Sequence, residues 1–168
     1  MIDHIVNRLC NCPDFDIYSV LQTGRVSETP SHRVVINEVV KEIILNEATL
    51  AEDVYSVAAQ IMYWGRLAAR AQRVYEITER QYRIWRDGKR LLYLEKTDDP
   101  KWKKPTKDET EWKYRTEPEY ENFQRKIEET LETYNACKAI YDAFKAKKDV
   151  ITHAITRFRD DSQSRLVF

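Results

Sequence analysis

The chain has 168 residues, with 28 Lys and Arg against 28 Asp and Glu, so its formal net charge is zero. That length fits one compact domain or one long helical assembly, and 42% hydrophobic with 33% charged residues excludes wholesale disorder while suiting long solvated helices. Three glycines alone, Gly24, Gly65 and Gly88, exclude a glycine-rich phosphate loop, a dinucleotide fingerprint or a many-turned β-sandwich.

The first 48 residues form an extension. Met1 to Leu9 reads as a short helix and Asn11 to Pro30 as irregular chain. Val34 to Leu45 is rich in Val and Ile and fits helix or strand, with helix favoured. No proline lies between Ser31 and Asp99 or after Pro118, and those two gaps are where long helices are permitted.

Thr49-Leu50-Ala51-Glu52 is a capping box that opens the first long helix, predicted over about 50–95. Steps of 4 and 3 from Leu50 reach Val54, Val57, Ile61, Trp64, Ala68, Ala71, Tyr75, Thr78, Tyr82, Trp85, Lys89 and Leu92, a helical seam and not the alternation of a strand. A charged link at about 96–106 follows. Thr106-Lys107-Asp108-Glu109 is a second capping box, opening a short helix around Trp112 and Tyr114. Thr116-Glu117-Pro118-Glu119 is a third, opening a long helix over about 117–160. Its seam runs through Tyr120, Phe123, Ile127, Thr130, Tyr134, Cys137, Tyr141, Phe144, Lys148, Ile151, Ile155 and Phe158. The predicted fold is all-α: a long antiparallel helical hairpin or coiled coil over 49–168 with a small N-terminal helical extension. Such a hairpin leaves Tyr55, Tyr63, Tyr93, Trp102 and Trp112 beside the seam, which points to self-association into a homo-oligomer.

Little in the chain suits catalysis. Cys10, Cys12 and Cys137 are an odd set that fits a reducing cytosol, and Cys10-Asn11-Cys12 is too tight for a zinc knuckle. His4, His32 and His153 have no patterned partner. Glu128-Glu129 and Asp160-Asp161 point about 100° apart on a helix and do not converge. No run of 18 apolar residues spans a membrane and the N-terminus lacks a secretory signal, so the expectation is a cytoplasmic protein that is no enzyme and needs neither cofactor nor metal.

The zero net charge hides segregation: −5 over residues 1–65, +6 over 66–104, −4 over 107–133, +4 over 138–159 and −1 thereafter. If residue 95 lies opposite 117, facing positions sum to about 212. Arg80 then meets Glu132, Arg83 meets Glu129 and Arg90 lies near Glu121, whereas Arg66 meets Lys145 to Lys147 and Arg73 meets Lys138. Bases crowded without acids form an anion site, so Arg66, Arg70, Arg73, Lys145, Lys147 and Lys148 are the leading candidates. The link Lys101-Trp102-Lys103-Lys104 is a second, exposed candidate. Cations interleaved with Tyr and Trp suit single-stranded nucleic acid, where phosphates are neutralised and bases stack at about 1–3 kcal/mol each; aromatics at seam positions such as Trp64, Tyr75 and Trp85 also have a plain core reading.

Tyr63-Trp64, Arg66, Arg70 and Arg73 on one helix, then Lys104-Pro105-Thr106, Glu117-Pro118-Glu119-Tyr120 and Tyr141-x-x-Phe144-x-x-Lys147-Lys148-x-x-Ile151, form an order that resembles the UvsY-like recombination mediators of tailed phages. The resemblance covers roughly residues 48–158. It implies a small non-catalytic protein of the host cytoplasm, assembled into a homo-oligomeric ring. Such a protein binds single-stranded DNA and helps a RecA-like recombinase displace single-strand-binding protein. By position, Arg66, Arg70, Arg73, Lys147 and Lys148 would face the DNA. The competing expectation is a helical interaction module, such as a phage scaffold, chaperone or host-defence inhibitor, that binds protein and not DNA.

Overall fold

The computed structural model describes residues 14–16, 33–44, 50–95 and 101–165. Four helices account for most of them: α1 (Ile36–Ile43), α2 (Leu50–Leu94), α3 (Lys107–Arg115) and α4 (Pro118–Arg165). A two-residue antiparallel ladder pairs β1 (Phe15–Asp16) with β2 (Arg33–Val34). The architecture is an all-α hairpin in which α2 and α4 run antiparallel, Lys89 reaching Glu117 at one end and Lys147 reaching Asp53 at the other. The short helix expected at 1–9 and the capping box at Thr49 lie outside the described residues.

The seam forms because its two stripes supply complementary volumes. Val57, Trp64, Ala68, Ala71 and Val74 of α2 are buried in one cluster with Cys137, Ile140, Ala143, Phe144 and Ile151 of α4. Alanines let the helix axes approach, and Trp64 and Phe144 fill the space between them. On α4 the buried band is wider than one heptad row. Thr133, Ala136, Ile140, Ala143 and Lys147 add a second row beside the predicted one, and α1 docks on α4 where Lys147 reaches Glu42. Ile36, Val39, Val40 and Ile43, at steps of 3, 1 and 3, present one apolar face to that surface. Each buried side chain contributes roughly 1.5–3 kcal/mol before chain entropy is subtracted. Val35 offers α1 no side-chain cap, and Asp14 supplies it from outside the helix, accepting from the Ile36 N–H at 3.0 Å.

The far end of the hairpin is aromatic. Tyr82 and Trp85 of α2 meet Tyr114 of α3 and Tyr120 and Phe123 of α4 with ring centroids 5.3–6.3 Å apart. The α3 capping box forms as expected, Thr106 Oγ1 accepting from the Glu109 N–H and the Glu109 carboxylate accepting from the Thr106 N–H at 2.7 Å. The box at Thr116 does not form. Its hydroxyl donates back to the Lys113 carbonyl at 2.8 Å and closes α3 instead of opening α4.

The docking of α3 also moves the register. Its Tyr114 packs against Trp85 and its Lys113 lies over Tyr93, so the last turns of α2 are taken up by α3 and Glu117 pairs with Lys89 instead of reaching residue 95. Gly65 faces Tyr141 and Tyr82 faces Phe123, so facing numbers sum to about 206 and not 212. None of the three cross-hairpin ion pairs expected at 212 is present. Arg83 instead binds Glu79 one turn away at 3.0 Å, and Arg125 is the base near Glu129, at 3.9 Å.

Candidate nucleic-acid interface

The shifted register scatters the six leading cations. Lys147 is the clear correction: it is 2% exposed, and its ammonium donates to Asp53 Oδ1 at 2.7 Å and to the Glu42 carbonyl at 2.5 Å. Glu42 lies in the last turn of α1, where carbonyls lack helical partners and the helix dipole favours a cation. Lys147 therefore fastens α1 and the start of α2 onto α4, and it faces an acid where the sequence placed it among bases. Lys148, assigned to the seam, is exposed beside it.

Arg66, Arg70 and Arg73 are exposed on α2, and among the described residues no ion pair holds any of them. Arg66 reaches the rim of a groove of about 630 Å³ between α2 and α4, lined also by Gly65, Ala69, Tyr134, Lys138, Tyr141 and Asp142. Lys138 is thus brought to Arg66, not to Arg73 as the 212 register had it. Lys145 is exposed, its ammonium 5.4 Å from the centre of the Tyr141 ring, and Lys138 lies 5.9 Å from that of Tyr134. Both distances fall within cation–π range. Arg73 lines a neighbouring shallow surface with Glu76 and Arg80.

Gly65 sets the depth of this groove. A Cβ there would stand 3.1 Å from Tyr141 Cε2, tight enough that the ring would have to give by a few tenths of an ångström. Sequence reasoning missed Tyr134, Lys138 and Tyr141 as surface groups because it counted both tyrosines as core. Both are half-buried. The available signal was the one-turn alternation Tyr134, Lys138, Tyr141, Lys145, which puts base and ring by turns along one edge of a helix.

The second candidate, Lys101 to Lys104, is separate. Lys101, Lys103 and Lys104 are exposed and Trp102 is half-buried. They follow the end of α2, which lies roughly 40 Å from Arg66 at 1.5 Å per residue.

Burial governs the titrating groups nearby. The Cys137 thiol is pushed up to about 12 by burial, which keeps it protonated and a poor nucleophile. At the hairpin end, burial and a hydrogen bond to Glu117 push Tyr93 up to about 12. Glu117 is held below its usual range by the bonds it accepts from Tyr93 and Lys89. No described helix is long and apolar enough to cross a membrane. Comparison with protein-family models, curated proteins and solved structures finds no match to this chain.

Proposed function

We propose that the chain is a non-catalytic protein that binds single-stranded DNA along the α2–α4 groove. The observation that carries this reading is the juxtaposition of Arg66 with the Tyr134–Lys138 and Tyr141–Lys145 pairs, flanked by Arg70 and Arg73, which no ion pair holds among the described residues. Phosphates would meet Arg66, Lys138 and Lys145, and unstacked bases would lie on the two rings. Asp142 at the rim opposes phosphate, so affinity per copy is modest and several copies acting together would raise it. The narrower role of a recombination mediator in the host cytoplasm, loading a RecA-like recombinase onto DNA coated by single-strand-binding protein, rests on the order of helices and charges that resembles the UvsY-like family.

Anisotropy of labelled oligo-dT at two salt concentrations tests this. Binding should weaken steeply with salt, and Arg66→Glu with Lys138→Glu should weaken it at least tenfold at low salt. Absence of binding at low salt removes the DNA reading. The second reading, a helical module for a protein partner, is favoured by the exposed Ile84, Leu91, Leu92 and Trp112 at the far end of the hairpin.

A further inference from the structure

The helix α2 carries a second heptad row on the side turned away from α4. Ile77, Gln81, Ile84, Gly88 and Leu91 recur at alternating steps of 4 and 3, so they share one face, and Glu95 follows one residue past the helix end. Ile84 and Leu91 are each 68% exposed, and Gln81, Gly88 and Glu95 are exposed between and beyond them. Gly88 is the anomaly. Glycine is a poor helix former, and Gly65 is explained by Tyr141, but a Cβ added at Gly88 would meet nothing within 4 Å. Nothing within the described chain requires that glycine.

We infer that this row packs against the same row of a second copy, antiparallel about a two-fold axis. The row is self-complementary in shape. Ile84 is a projecting knob and Gly88, one turn on, is a gap, so antiparallel pairing seats each Ile84 in the Gly88 gap of the other copy. It also places Leu91 over Gln81 and Ile77 opposite Glu95. Charge agrees with this direction. Among the described residues neither Glu95 nor Arg73 nor Arg80 is held in an ion pair, and the pairing brings Glu95 of one copy beside Arg73 and Arg80 of the other. A parallel arrangement would set gap against gap and Glu95 against Glu95. The inference is a two-fold pair and not the ring that the resemblance implies, it uses none of the aromatic residues noted beside the seam, and it does not depend on DNA binding. Arg66 and Arg70 stay outside the paired segment, one set at each end of the dimer.

Sedimentation equilibrium on the full chain reads the outcome. The wild type should weigh about twice the 20.1 kDa of one chain. Gly88→Leu fills the gap without touching its own copy; helical circular dichroism should persist while dimerisation weakens at least tenfold. Glu95→Arg should weaken the dimer, and adding Arg73→Glu with Arg80→Glu should restore it. A wild-type monomer at tens of micromolar overturns the proposal, as does any assembly that Gly88→Leu leaves intact or a charge swap that fails to restore pairing. Loss of oligo-dT binding with the dimer intact would remove the DNA reading alone, and loss of the dimer with binding intact would remove this one alone.

Discussion

Lys147→Ala is the most informative single change, because the sequence and the structure assign that side chain opposite tasks. In the structure its ammonium makes two charge-assisted bonds, to Asp53 and to the last turn of α1, from a position 2% exposed. Removing it takes the 2.7 Å bond from the Asp53 carboxylate, 15% exposed, and that donor from the Glu42 carbonyl. Breaking a buried pair costs about 3–5 kcal/mol, and the residual access of Asp53 to water argues for the lower end, about 3 kcal/mol. For a chain of this length that lowers Tm by roughly 6–12 °C. Urea unfolding followed by helical circular dichroism gives the free energy directly. Two companions sharpen the result: Lys148→Ala, one residue on and exposed, should stay within about 0.5 kcal/mol of wild type, and Lys147→Met with Asp53→Leu should recover most of the loss, since an apolar pair of similar volume replaces a buried ion pair with little penalty. If Lys147→Ala costs under about 1 kcal/mol, the latch is open in solution and Lys147 returns to the list of possible DNA contacts.

Thr106→Ala removes the reciprocal cap of α3 and should cost about 1 kcal/mol in the same urea assay. Gly65→Leu drives a side chain into the Tyr141 ring and should destabilise by about 1–3 kcal/mol, whereas Gly88→Ala, measured where the chain is monomeric, should stabilise by about 0.5–1 kcal/mol through helix propensity alone. Stability should fall with alkali through Tyr93: its folded pKa lies above the ordinary value of 10, so its contribution is complete below pH 10 and is lost as pH rises toward about 12. Glu117 acts in the opposite direction, its folded pKa being lowered, so its contribution is present above the ordinary carboxylate range and fades on acidification. Tyr93→Phe should flatten the alkaline limb of a Tm-against-pH profile and weaken the acid limb; a profile unchanged at both ends would refute the pairing of Tyr93 with Glu117.

What the sequence disclosed was whatever depends on neighbours within one or two turns. The helix bounds follow from capping residues and proline-free gaps, which are local, and both long helices appear within a few residues of the predicted ends. The seam of α2 was equally legible at Val57, Trp64, Ala68 and Ala71, because a 3.6-residue period needs no knowledge of the partner. The relative slide of the helices was not legible. It is decided by α3, a nine-residue helix whose Tyr114 enters the aromatic cluster and takes up the last turns of α2. A shift of six in the sum of facing numbers moves every partner six residues along the opposite helix, about 9 Å or more than one and a half turns. Arg80, Arg83 and Arg90 thereby lost their expected acids, and Arg66 acquired Lys138 and Asp142. Lys147 was misplaced for a different reason: its partners include a backbone carbonyl, and carbonyls carry no sequence signal.

The same helix that buries one row also displays another, and the division of labour along it is physical. Positions buried against α4 on α2 are small or aromatic and admit almost no charge, so they fix the fold and leave no freedom for recognition. The opposite side bears no packing constraint within the described chain. There Arg70 and Arg73 are followed by Ile77, Ile84 and Leu91, a cationic half and an apolar half on one rod. Water solvates the first half well and the second poorly, so each half has a different remedy: an anion for the arginines, an apolar surface for the isoleucines and leucine. A single ligand suited to both halves would have to change character midway along α2. Two ligands, a polyanion at one end and a second copy at the other, satisfy the face without that demand, and pairing through the apolar half would set two cationic ends along one longer rod.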